Sequence, residues 1–267
     1  RHYRLDVGLL QEGDSADFVL LEDLEHFNVL ATYIRGERVS DGDRSLIRPV
    51  AAPPLNKFVT RTIGPADLRY PLQKWGENEP ENFEQVRVIE ALDGQLITNP
   101  LVVPITDLRV RDGFLESNPD KDILKIVVVN RYQKDAPVAK AFVRNFGLRQ
   151  GAIASSVAHD SHNVIAVGTD DEQLAEAIGL LLEAKGGVSC VVPGESRLLP
   201  LPVAGLMSPA DGYEVARAYT DIDRMAKTAG SRLSAPFMTL SFMALLVIPH
   251  LKLSDRGLFD GDTFKLL

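Results

Sequence analysis

The 267-residue sequence is 45% hydrophobic and 25% charged, within the range of folded proteins, and is long enough for one large domain or two modest ones. Its formal net charge of −8, with the acidic residues spread along the chain, leaves no basic stripe to neutralise a phosphate backbone or an anionic bilayer, which argues against nucleic acid and membrane partners. The one cysteine, Cys190, lies in an apolar run, so neither a disulfide framework nor a cysteine-based zinc site can be built within one chain, and a cytoplasmic, reducing setting is expected.

The sequence opens at Arg1 without a methionine or a targeting pattern and runs almost at once into strand-like residues, as expected of a piece cut from a longer protein. Residues 14–21 read as a turn followed by a short β run, and residues 29–35 alternate apolar and polar side chains before a Gly-Glu turn and Val39. So few strands are marginal alone, which implies that they complete a sheet whose other strands lie upstream. Six prolines between residues 49 and 80 then confine regular structure to short pieces and mark a domain boundary.

Beyond residue 83 the pattern is mixed. Strands are expected at 85–92, 95–103 and 123–130, and a helix around 138–146. Residues 152–158 and 164–168 are apolar runs of strand length separated by five polar residues, His159, Asp160, Ser161, His162 and Asn163. Thr169 with Glu172 resembles a capping box. It opens a helix on which Leu174, Ala177, Ile178 and Leu181 recur at helical spacing up to Gly186 and Gly187. A strand over 188–192 and a helix over 212–227 follow. The stretch 238–249 is apolar but too short and too interrupted by hydroxyls to span a bilayer, and reads as buried core. The expected class is α+β, with a mixed, largely antiparallel sheet and packed helices.

Chemistry concentrates in the HDSHN loop at 159–163. Two of the five histidines fall there, and imidazoles three apart can share a ligand if the loop curls, with a neighbouring carboxylate to orient one of them. The alternative is a tight turn in which Asp160 and Asn163 bond backbone amides. Other candidates are weaker. No GxGxxG or GxxxxGK[ST] pattern occurs, so the paired glycines end a helix and do not cradle a phosphate. Lys125 and Lys140 border apolar runs and read as solvated edge residues. Tyr70 and Trp75 offer an aromatic cluster that either stacks on a flat ring or anchors a loop, and His26 and His250 are isolated.

The strings GAIASSVAHDSHN (151–163) with VGTDD (167–171), PLPVAGLMS (200–208), SAPFMTLSF (234–242) and VIPHLKL (247–253), in this order, resemble the C-terminal domain of the adenine deaminases. HYRLDVGLL (2–10) with GDSADF (13–18) resembles the point where amidohydrolase chains leave their barrel and finish the small β domain beside it. The resemblance implies three parts: residues 1–50 as the remainder of that small β domain, 51–82 as a Pro-rich connection and 83–267 as the C-terminal α+β domain. It also implies an upstream barrel that binds a divalent metal (manganese, iron or zinc), conversion of adenine and water to hypoxanthine and ammonia in purine salvage, and a homo-oligomer.

Deamination at purine C6 needs a metal-activated hydroxide, a carboxylate to move its proton, and groups that read the ring nitrogens. This sequence has no His-x-His pair, and it lacks the H-x-E and P-C-x-x-C pattern of the other zinc deaminases, so no metal ligand is assigned in it and activity by this chain alone is not expected. Two readings stay open. In one, the chain covers or completes the adenine site, with His159, Asp160 and His162 as catalytic candidates and Ser161 and Asn163 as substrate-binding candidates. In the other it is a structural and oligomerisation module without substrate contact. A free-standing purine-binding protein is a third, weaker reading.

Overall fold

Helices and strands follow the apolar patterning closely from residue 84 onward, and the computed structural model describes residues 2–50, 53–59, 61–72 and 84–267. The chain divides into two units, Arg1–Ala52 and Pro53–Leu267. The first carries four antiparallel strands in sequential order: β1 (Phe18–Leu21), β2 (Val29–Ile34), β3 (Glu37–Asp41) and β4 (Arg44–Ser45). Phe18 and Tyr33 stack across the β1 and β2 pair at 4.7 Å. The Asp17 carboxylate accepts the amides of Arg35 and Gly8, and these bonds lower its pKa. Ala31 is the one buried residue among those described in this unit, while Val19, Leu20, Val29, Leu30 and Ile34 stay exposed.

The second unit begins with short pieces, α1 (Pro65–Leu68) and β5 (Tyr70–Pro71). Then come β6 (Gln85–Ala91), β7 (Thr98–Pro104), β8 (Arg109–Arg111), β9 (Phe114–Glu116), β10 (Ile123–Val129), β11 (Val138–Arg144), β12 (Ala152–Ser155) and β13 (Val164–Gly168). After α2 (Asp171–Ala184) follow β14 (Gly187–Val192), β15 (Glu195–Pro200), α3 (Gly212–Thr228), α4 (Pro236–Phe242), β16 (Leu251–Ser254), β17 (Gly257–Asp260) and β18 (Lys265–Leu266). Eight strands form the main sheet in the order β15-β14-β12-β13-β10-β11-β6-β7. Each pair is antiparallel except β11 with β6, so the α+β class with a mixed, largely antiparallel sheet holds.

The period of two distributes the core to both faces. Leu124, Ile126 and Val128 of β10, Ile153 of β12, and Ile165 and Val167 of β13 join α3, α4 and Leu251 and Leu253 of β16 in one cluster. Val127, Val129, Ala152, Ala154, Val164 and Ala166 meet Leu174, Ala177, Ile178 and Leu181 of α2 on the other. A smaller cluster around Phe142, Leu115 and Val88 sits under β5, β8 and β9. The apolar stretch at 238–249 supplies Leu240, Met243, Ala244 and Leu245 to the core, but leaves Met238 and Val247 exposed.

Three expectations need correction. The helix expected at 138–146 is strand β11, paired in full register with β10 from Ile123 opposite Arg144 to Val129 opposite Val138. Its alanines raise helix propensity, but Ala139, Ala141 and Val143 face one cluster and Phe142 the other, and pairing on both edges overrides the local preference. The cap of α2 is Asp170, not Thr169. The Asp170 carboxylate accepts the Gln173 amide at 2.8 Å, whereas the Thr169 hydroxyl donates to the Gly151 carbonyl at 3.2 Å. Lys125 is not a solvated edge residue. It lies in a central strand, 1% exposed, and its ammonium pairs with Asp171 at 2.5 Å.

Candidate functional site

At one end of the main sheet, β10 stops at Val129, β12 at Ser155 and β15 at Pro200, while β13 and β14 begin at Val164 and Gly187. The antiparallel registers therefore bring three connections to one place: residues 130–137, residues 156–163 and residues 201–207. The HDSHN loop is the second of these. His159 donates its amide to the Ser241 carbonyl at 3.1 Å and stacks its ring on Phe242 at 5.1 Å, so α4 fixes the start of the loop. The His162 amide closes the turn on the Ala158 carbonyl at 2.6 Å. The two imidazoles meet edge to face at 5.3 Å.

All five sequence candidates thus lie in one turn, but their settings differ. His159 and His162 are half-buried, Asp160 and Ser161 exposed, and Asn163 buried. Asn163 ties the turn down. Its Oδ1 accepts the Arg131 amide at 3.2 Å, and its Nδ2 donates to Ser161 Oγ at 3.2 Å. Burial, with neighbouring His159 and Arg131, pushes the His162 pKa below its ordinary value against the opposing pull of Asp160, so the ring is neutral near pH 7.

Two neighbours were not singled out from the sequence. Arg131 lies 4% exposed, its guanidinium 5.2 Å from the Phe58 ring and 4.9 Å from the Tyr132 ring. Its Nη2 donates to Tyr132 Oη at 2.9 Å and to the Ala204 carbonyl at 2.8 Å, and Tyr132 passes the contact on by donating to the Ser161 carbonyl at 2.8 Å. The signal available in advance was an Asn-Arg-Tyr triplet straight after the seven wholly buried residues of β10, where a charged side chain has to find a partner. The third connection closes beside it. Gly205 takes φ of +71°, and a Cβ there would fall 1.9 Å from Arg131 Nη1, while Ser156 Oγ donates to the Gly205 carbonyl at 2.6 Å.

The chemistry available is hydrogen bonding and proton transfer by imidazole and carboxylate at an exposed loop. Among the described residues no three His, Cys, Asp or Glu side chains are placed to hold a metal, and His162 turns its Nδ1 into the protein, so the loop does not fit a complete metal site. The other candidates resolve as local structure. Tyr70 packs against Phe142 at 5.2 Å, His26 meets Asp23 at 3.4 Å, His250 Nδ1 meets Asp262 at 2.6 Å, and Trp75 lies outside the described residues. Burial pushes the Cys190 thiol up to about 12, so it is not a nucleophile at neutral pH. No helix among the described residues is long and apolar enough to cross a membrane.

Residues 95–265, which include all three connections from residue 130 onward, match the family model described as the adenine deaminase C-terminal domain. The chain belongs to this family. It is 49% identical over its whole length to an adenine deaminase of Salinibacter ruber, covering 47% of that protein, and 48% identical to one of Methanosarcina acetivorans, covering 48%. A more distant adenine deaminase, of Borreliella burgdorferi, is 39% identical over 98% of the chain and 46% of its own length. The chain spans about half the length of these curated relatives.

Proposed function

We propose that this chain is the accessory portion of an adenine deaminase, and that the HDSHN loop completes the adenine site of a metal-bearing barrel encoded upstream. The observation that carries this reading is the division of labour within the loop. Asn163 is buried and spends its amide on the fold, whereas Asp160 and Ser161 are exposed and His159 and His162 half-exposed beside them. A turn that served structure alone gains little from two imidazoles packed edge to face next to an open carboxylate. In this reading His159, Asp160 and His162 exchange hydrogen bonds or protons with the reacting purine, and Ser161 and Asn163 shape its binding. The metal, manganese, iron or zinc, belongs to the upstream part and supplies the activated hydroxide. Residues 1–50 belong to a small β domain whose remaining strands precede Arg1, residues 51–82 connect it, and residues 83–267 form the accessory domain. The setting is cytoplasmic purine salvage by a homo-oligomer.

Amide exchange in the full-length protein tests the placement. Adding hypoxanthine, the product, should slow exchange across residues 159–163 relative to the ligand-free protein, while the β8 and β9 hairpin, toward the opposite end of β10, is unchanged. Equal exchange with and without ligand would instead support a structural and oligomerisation module, a reading favoured by the bonds that Asn163 and Tyr132 already spend on the turn.

A further inference from the structure

Just past the last rung of β10 and β13, Val129 opposite Val164, the Arg131 amide donates to Asn163 Oδ1 at 3.2 Å, and the Arg131 charge acts on the neighbouring His162. Among the described residues, both carry buried nitrogens without a hydrogen-bond partner: Nε and Nη1 on Arg131, Nδ1 on His162. A guanidinium offers donors only and an imidazole Nδ1 without its proton only accepts, so these atoms are complementary although they do not bond to one another directly, and one bridging water would join them. The guanidinium itself is held firmly. It lies against the Phe58 and Tyr132 rings, spends Nη2 on Tyr132 Oη and the Ala204 carbonyl, and fills the space that a side chain at Gly205 would need.

We propose that Arg131 is a positioning residue: its guanidinium locks the HDSHN loop through Tyr132, and it fixes His162 as an imidazole protonated on Nε2, so that the loop presents a neutral hydrogen-bond donor to an acceptor such as a purine ring nitrogen. The tautomer follows from the complementarity of these groups. A proton on Nδ1 would set donor against donor, and an imidazolium would set cation against cation. The charged and titratable groups around His162 are His159, Arg131 and Asp160, and of these only the exposed Asp160 favours the imidazolium. The substrate-facing part of this proposal rests on the accessory-domain reading; the coupling of Arg131 to His162 does not.

The test uses the full-length protein with 15N-labelled histidine, the His162 resonances being assigned by their loss in His162→Gln. In the unsubstituted protein His162 should appear as the neutral Nε2–H tautomer at pH 7. In Arg131→Gln it should titrate at higher pH and gain the Nδ1–H tautomer. The acid limb of kcat/KM for adenine should move up with it, and kcat should fall tenfold or more while KM changes less. Arg131→Lys, which keeps the charge but not the fork, should recover part of kcat and keeps the test open if the glutamine variant does not fold. An unchanged tautomer and titration of His162 in either folded variant would overturn the proposal. If the coupling appears as expected but His162→Gln deaminates adenine normally, the coupling is upheld and the substrate-facing reading of the loop falls.

Discussion

Asn163 and His159 sit four residues apart in one turn and answer to different demands. Asn163 is 2% exposed and accepts the Arg131 amide, so Asn163→Ala leaves a buried donor unpaired and should cost about 1 to 3 kcal/mol in denaturant unfolding. A loss within about 0.5 kcal/mol, the range of a surface substitution, would contradict that assignment. Lys252 gives a second residue-scale prediction. Burial lowers its pKa to about 8, and its ammonium donates to the Leu96 carbonyl. The folded pKa lies below the unfolded value. Below about pH 8 the group therefore carries the full cost of burying its charge, and stability rises as pH increases from about 8 towards the ordinary lysine range. Lys252→Met should abolish that rise relative to the unsubstituted protein. An identical pH dependence of unfolding in the two proteins would count against a desolvated amine.

At the scale of elements, the packing of the 201–207 turn on Arg131 leaves no room for a side chain. Gly205→Ala combines φ of +71° with a methyl 1.9 Å from Nη1, and should lower the melting temperature while Gly194→Ala, at +82° but with open space, costs only the strain of its φ. Equal losses at the two positions would mean that the Arg131 contact contributes nothing. Much of this architecture was legible in advance. The runs at 123–130 and 164–168, the helical spacing from Leu174 to Leu181 and the glycine stop all appear where patterning placed them. The segment at 138–146 was not legible because Ala and Lys suit a helix locally, and only the edges of β10 and β6 make it a strand. The candidate loop could be seen as a polar interruption between two apolar runs. Arg131 could not be tied to it, because their proximity is a consequence of strand register and not of spacing along the chain.

For the whole molecule, the two units should differ in stability. Strands β1 to β4 bury one residue among those described, against a sheet covered on both faces by α2, α3 and α4, so amides in 1–45 should exchange much faster than those in 152–192. Equal protection would show that the first unit needs no further strands. The chain purified alone, supplied with iron, manganese or zinc, should not deaminate adenine, and turnover of about 1 per second would overturn the assignment of catalysis to the upstream part. The central claim, that the HDSHN loop serves the adenine site, is tested most directly by steady-state kinetics and thermal unfolding of His159→Ala and Asp160→Ala in the full-length protein. The account predicts a loss in kcat/KM of tenfold or more, roughly 1.4 kcal/mol of transition-state stabilisation, with the melting temperature nearly unchanged. A lowered melting temperature with normal kinetics in the folded fraction would contradict it.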